Sequence, residues 1–406
     1  TSDPAAGIVY PLAVAGAGMV ASIIGSLFVG RSDRANLGAA LHRGTWVAAG
    51  LTSIGAPALS LVVLGAVPEV EQPLFFAGAV VSGLVAGMAV GWLGEYFTSD
   101  RFGPVKHIAN QATTGSATVI LVGLATGLRS TAANTGVIVL AIVAAYTLGS
   151  MAMPGDTSGV YGIALAAVGM LSVTAITVSV DAYGPIADNA GGIARMADLP
   201  LQVRRDTDAL DALGNTTAAM AKGFAVGSAA LTALALFRSF TETANGALRA
   251  AGEAPINLDV NDVGVTIGLF LGGMLPFLFA AMTIDSVGRA ANVMIREVRR
   301  QFDDIPGLRE GRVDAHPDYA RCVDISAAAA LREMVTPGAL AVLIPLLIGF
   351  VSLQALGAFL VGAMVTGFLL AVFMANAGGA WDNAKKHVEA GNFGGAATEA
   401  HRATVV

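Results

Sequence analysis

The chain has 406 residues, of which 55% are hydrophobic and only 13% charged, with a mean hydropathy of +0.68. A soluble globular domain carries about 25% charged residues, so this composition excludes that class and points to an all-α protein that crosses the membrane many times. The net charge of −6 carries little information, and a single cysteine, Cys322, excludes both an internal disulfide framework and a cysteine-built metal site.

Fifty glycines suit closely packed membrane helices, whose interfaces favour small side chains. Apolar runs long enough for a crossing, about 20 residues each, fall at 8–29, 44–67, 74–97, 159–187, 215–240, 263–287 and 356–377. The shorter run 337–352 counts as a further span. The stretch 117–152 is ambiguous, because Arg129, Ser130 and Thr131 interrupt it.

Charge placement resolves it. Basic residues concentrate around Arg31, Arg34 and Arg43; at Arg101 and Lys106; at Arg195, Arg204 and Arg205; in 288–335; and at Lys385, Lys386 and Arg402. The positive-inside rule puts all five segments in the cytoplasm, so 117–152 crosses once. About nine transmembrane helices follow, with the first residue outside and the last inside. Residues 1–406 then form one transmembrane helical domain, with 288–335 as a cytoplasmic helical extension and loop. In that extension VGRAANVMIREVRRQFDDI has helical periodicity, Pro306, Gly307 and Gly311 break it, and ISAAAALREM resumes it. Its arginines read as a solvated, charge-laced helix face. No basic patch is interleaved with aromatics, so nucleic acid is not an expected partner.

Chemistry gathers in 181–232. Asp188 and Asn189 close the fifth span, while Asn215, Thr216 and Thr217 open the sixth; Asp382, Asn383 and Lys385 follow the ninth. Asn215 and Lys222 are seven apart and share a helix face, as do Asp382 and Lys385, three apart, with Lys386 off that face. A lysine within a membrane helix calls for an anionic or carbonyl partner, although Lys222 could equally snorkel to water. Carboxylates and amides suit magnesium, and lysines suit phosphate oxygens. The free amides at the start of the sixth span would also favour an anion. Simple capping by Asn215 and Asp188 explains the same residues, and the two lysines could be interface anchors. The five histidines have no metal-ligand spacing and read as lone surface residues.

DAYGPIADNAGGIARMADLP, TDALDALGNTTAAMAKGFAVGSAALTALALF, GLFLGGMLPFLFAAMT, PDYARCVDIS and GGAWDNAKK closely resemble the membrane-bound, ion-translocating inorganic pyrophosphatases. The resemblance runs from about residue 8 to the end. It implies a homodimer in the lipid bilayer that hydrolyses magnesium pyrophosphate and moves protons or sodium ions outward. By the same resemblance Asp188 serves the magnesium and nucleophilic-water site and Asp382 is a metal ligand. Asn215, Lys222 and Lys385 bind substrate. Ala218 stands where the potassium-independent branch has a lysine, which implies potassium as an activator. The chain resembles the family's seventh to fifteenth of about sixteen spans. It is therefore expected to be an internal portion of a pump, able to insert in membranes but not to hydrolyse pyrophosphate by itself. The competing readings are a secondary transporter using Lys222 and Asp181, and a truncated paralogue without activity.

Overall fold

The computed structural model describes residues 4–30, 37–155 and 157–405. Every regular element among them is helical: α1 (Pro4–Ser26), α2 (Leu37–Val63), α3 (Pro73–Thr98), α4 (Gly103–Gln111), α5 (Ser116–Ala152), α6 (Ser158–Leu171) and α7 (Thr174–Met196) come first. They are followed by α8 (Leu201–Ala250), α9 (Val263–Asp304), α10 (Tyr319–Glu333), α11 (Val335–Val351), α12 (Leu353–Glu389) and α13 (Glu399–Thr404). Eight helical stretches of the described residues are long and apolar enough to cross a membrane, and nine if the bent pair α6–α7 counts as one span. The basic pair Arg31 and Arg34 lies outside the described residues.

The ambiguous stretch 117–152 is a single helix, α5, so its polar interruption is absorbed without a break. Thr126, Ser130 and Thr131 each donate a hydroxyl to a carbonyl three or four residues earlier. That local bond satisfies each hydroxyl inside an apolar helix. The expected continuous span 159–187 is instead broken at Ser172–Val173, with a bend of 46°. Ser172 donates to the carbonyl of Gly169 at 2.6 Å. On its other side Gly18 of α1 comes so close that a Cβ there would sit 2.4 Å from the Ser172 carbonyl oxygen.

The described chain divides into two compact units. The first comprises everything up to Ser239 together with Phe368 onward. Its core joins α1, α2, α3, α5, α6, α7 and α8 around Tyr10, Phe76, Leu84, Met170 and Leu231. Two tyrosine hydroxyls within this core find carbonyls: Tyr10 donates to that of Ala56 at 3.2 Å, and Tyr161 to that of Gly7 at 2.8 Å. The α3–α6 crossing is in backbone contact. A Cβ on Gly83 would fall 1.8 Å from the Ala166 carbonyl oxygen, and one on Gly169 would fall 2.0 Å from that of Val80. A smaller cluster around Val105, Ile108, Ala380, Ala384 and Val388 fastens α4 and α5 to the last turns of α12.

The second unit is Phe240–Gly367. Here α9 meets the start of α12 at two glycines, Gly268 against the Ala355 carbonyl and Gly272 against that of Phe359. Beyond its apolar run α9 continues to Asp304, and after an irregular loop α10 returns alongside it. Asp318 caps α10 by accepting from the Arg321 amide at 2.9 Å.

Candidate functional site

The polar residues at 181–232 and 382–389 come together in the first unit, where α7, α8, α12 and the end of α3 converge. Glycine permits the approach of α7 to α8: a Cβ on Gly184 would meet the Gly214 carbonyl oxygen at 2.9 Å. The hydroxyl of Tyr183 reaches the Leu210 carbonyl at 3.2 Å across the same crossing, and Arg195 pairs with Asp208 at 2.8 Å. Small residues also seat α12, since Gly379 faces Thr98 of α3 and Ala219 of α8.

On this frame Asn215 donates to Asp382 and, at 3.1 Å, to the side-chain oxygen of Asn383. Asn383 is buried and donates in turn to the Thr98 carbonyl at 2.7 Å and the Thr216 hydroxyl at 3.1 Å. Lys386 lies between two carboxylates, 2.8 Å from Asp211 and 3.1 Å from Asp382. Its side chain is only 14% exposed and that of Asp211 only 8%, so this ion pair is largely removed from water. Asp188 stands within electrostatic range of Asp211, which draws α7 into the same cluster.

Several expectations change. The sixth span does not begin at Asn215, because α8 starts at Leu201 and Asn215 lies almost four turns inside it. Its backbone amide is committed to the helix, so neither a cap nor an anion site of free amides exists there; its side chain bonds across to α12. Likewise Asp188 does not end its helix, as α7 runs two further turns to Met196. Lys222 has no ion-pair partner among the described residues and is exposed, because its face of α8 turns away from the packed side marked by Ala221 and Phe224. The lysines of α12 are exchanged as well. Lys386, four residues after Asp382, shares its face, whereas Lys385 turns towards Glu389 at 3.7 Å. Nor are all the histidines lone: His42 pairs with Glu95 at 3.3 Å, His387 with Asp100 at 3.7 Å and His401 with Glu389 at 2.9 Å.

Sequence reasoning missed Asp211 and Lys386. The available signal was the double four-residue spacing, Asp211 to Asn215 and Asp382 to Lys386, which puts an acid and its polar neighbour one helical turn apart on each helix.

The donor set is all oxygen on the acidic side (Asp188, Asp211, Asp382 and the amide oxygens), which fits a hard cation and not a soft one. No group of three or more acidic, histidine or cysteine residues among the described residues forms a closed metal cage. That is compatible with magnesium, which commonly takes one or two carboxylates and fills its remaining positions with water and phosphate oxygens.

These features define a polytopic, all-helical membrane protein with a carboxylate, amide and lysine site where its helices converge. The chain belongs to the inorganic H+ pyrophosphatase family, whose model matches residues 4–406. It is 50% identical over 404 residues to a putative K+-stimulated pyrophosphate-energized sodium pump of Clostridium tetani, covering 98% of this chain and 57% of that protein. It is 46% identical over 412 residues to a K+-insensitive pyrophosphate-energized proton pump of Chloroflexus aurantiacus, covering 98% and 52% respectively. A putative K+-stimulated sodium pump of Bacteroides thetaiotaomicron is 44% identical over 426 residues, again with 98% of this chain and 57% of the relative. The chain thus spans a little over half the length of these relatives.

Proposed function

We propose that the protein carrying this chain hydrolyses magnesium pyrophosphate to phosphate and couples the reaction to export of protons or sodium ions. The observation that carries this reading is the convergence of Asp188, Asp211, Asn215, Asp382 and Lys386 at one place in a family member built on apolar, membrane-length helices. A transporter reading gives the bonded Asn215–Asp382–Asn383 network no task. The charge distribution supports an orientation with this site towards the cytoplasm. The resemblance supports a homodimer, testable by the mass of the detergent-solubilised protein.

Asp188 and Asp382 are the proposed magnesium ligands, and bound magnesium would offset charge on the phosphoryl oxygens. The chain's own groups do the rest. Asp188, an exposed carboxylate, accepts a proton from the attacking water. Asn215 and Asn383 hold the Asp382 side of the site through their amides, and the Lys386 ammonium offsets the negative charge of Asp211 and Asp382 at 2.8 and 3.1 Å. Lys222 and Lys385 supply ammonium groups to phosphate oxygens. The free, exposed state of Lys222 suits a residue whose partner is a substrate.

Replacing Lys222 with alanine should lower turnover by about tenfold or more, since a charge-assisted contact contributes about 1.5–3 kcal/mol. The folded protein should lose little stability, because Lys222 has no partner there to abandon. A melting temperature that falls as far as turnover does would show a structural role instead.

Relatives differ in potassium dependence, and Ala218 supports a potassium-stimulated reading for this protein. Positions 218 and 222 are one turn apart, and alanine leaves room for a monovalent cation beside the substrate-binding lysine. Potassium chloride should raise pyrophosphatase activity, and Ala218→Lys should make activity independent of it. Full activity of the unaltered protein without potassium would contradict this.

The function itself is tested by magnesium-dependent phosphate release from membranes carrying the protein, measured against Asp188→Ala. Release no greater than in that variant would refute the proposal.

A further inference from the structure

The hairpin of α9 and α10 is tied at both ends. Near the apolar run, the Ser286 hydroxyl donates to Glu333 at 2.8 Å and Arg289 pairs with the same carboxylate. At the far end, Gln301 accepts from the Asp318 amide at 2.8 Å and donates to the Asp318 carbonyl at 3.1 Å. Between the ties lies a cleft of about 690 Å³. Its charged lining consists of Arg289 and Arg296 from α9, Arg321 and Arg332 from α10, and the carboxylates Asp324 and Glu333.

The arginines are placed in register. Arg289 and Arg296 are seven apart, and Arg321 and Arg332 are eleven apart, so each pair forms a stripe on one face of its helix. Elsewhere in this region three arginines have their own acids, while Arg299, which does not line the cleft, has none among the described residues. Arg300 pairs with Glu297 and Asp304, Arg309 with Asp303 and Arg312 with Asp314. In the cleft Glu333 engages Arg289 and Asp324 engages Arg321 at 3.1 Å. Arg296 and Arg332 have no ion-pair partner among the described residues. Four cations against two acids leave the cleft with two positive charges held in a preformed groove. Arg289 lies two residues beyond the apolar run 263–287, and Arg332 five before the run 337–352, so the groove opens where the helices leave the membrane.

We propose that this cleft is a binding site for a phosphate group, supplied by the headgroup of an anionic membrane lipid. Guanidinium forks match phosphate oxygens, and a basic groove at the membrane boundary is where an anionic headgroup is within reach. A positive-inside signal alone explains the sign of these charges. It does not explain a groove fastened at both ends with two arginines left unpaired.

The test is titration of the whole detergent-solubilised protein with fluorescent phosphatidylglycerol and, separately, phosphatidylcholine of the same chain length; inorganic phosphate is the soluble competitor. Phosphatidylglycerol should bind preferentially. Arg296→Gln and Arg332→Gln should each weaken it by about fivefold, and the double variant by roughly 25-fold. Arg299→Gln, outside the cleft, should change nothing, and Arg296→Lys, which keeps the charge but loses the fork, should weaken binding by less than Arg296→Gln does. All these side chains are exposed, so the variants should melt as the unaltered protein does. Inorganic phosphate that binds with the same arginine dependence, while phosphatidylglycerol does not bind, would support the phosphate site and assign it to a soluble anion. Equal binding of the two lipids with no arginine-dependent phosphate binding, or unchanged affinities in the double variant, would overturn it.

Discussion

Lys386→Ala should destabilise the protein by about 3–5 kcal/mol, the range for removing one partner of a buried ion pair. It should also remove most pyrophosphatase activity. Asp211 would be left nearly buried with its closest cation gone, and Asp382 would lose the ammonium 3.1 Å away. In stability, Lys385→Ala should differ sharply, whatever its effect on activity. Its contact with Glu389 is 3.7 Å long and about a third exposed on the lysine side, which is worth at most about 1 kcal/mol. If Asp211 is the reason for the loss, adding Asp211→Asn to Lys386→Ala should restore part of the stability, because the unpaired charge disappears. Thermal unfolding in detergent measures all three. Equal melting temperatures for the two lysine variants would refute the pairing described here.

A larger structural effect is expected at the α3–α6 crossing. Gly83→Val should prevent the first unit from folding, since its Cβ would overlap the Ala166 carbonyl, and backbone cannot swing aside as a long side chain can. Overpacking a core typically costs about 1–3 kcal/mol. Separating two helices in backbone contact exceeds that and opens the packing around Leu84, Ala166 and Met170. Gly16→Ala is the matched control. Nothing lies within 4 Å of a Cβ at Gly16, and alanine is the better helix former by about 1 kcal/mol. Size-exclusion profiles should show monodisperse Gly16→Ala protein and aggregated or absent Gly83→Val protein. Folded Gly83→Val protein at normal yield would contradict the contact.

Much of the architecture is legible in the sequence because a bilayer enforces it. Apolar length marks each span, and the charge distribution requires 117–152 to cross once, as α5 does. What escapes is where helices begin and end beyond the apolar run. The polar residues 201–214 carry no membrane signal, yet they extend α8 and turn Asn215 from a supposed cap into a mid-helix residue. The break between α6 and α7 escapes too; it lies where Gly18 of another helix comes against Ser172.

The site was legible to the level of residue types and not of pairings. Asp188, Asn215 and Asp382 are brought into one cluster. The choice between Lys385 and Lys386 was not available from spacing alone, because residues three and four apart both neighbour Asp382 on a helix. Asp211 decides it, by offering Lys386 a second carboxylate from α8. Nothing local to GGAWDNAKK announces that partner.

Hydrolysis of pyrophosphate at this convergence of helices should drive an ion across the membrane. The most direct measurement is ion uptake by sealed, inverted membrane vesicles carrying the protein. Magnesium pyrophosphate is added, and lumenal pH and sodium are followed together with phosphate release. Protons or sodium should enter as phosphate appears, and both signals should vanish in Asp188→Ala. Phosphate release without entry of either ion, or ion entry that persists without pyrophosphate, would contradict it.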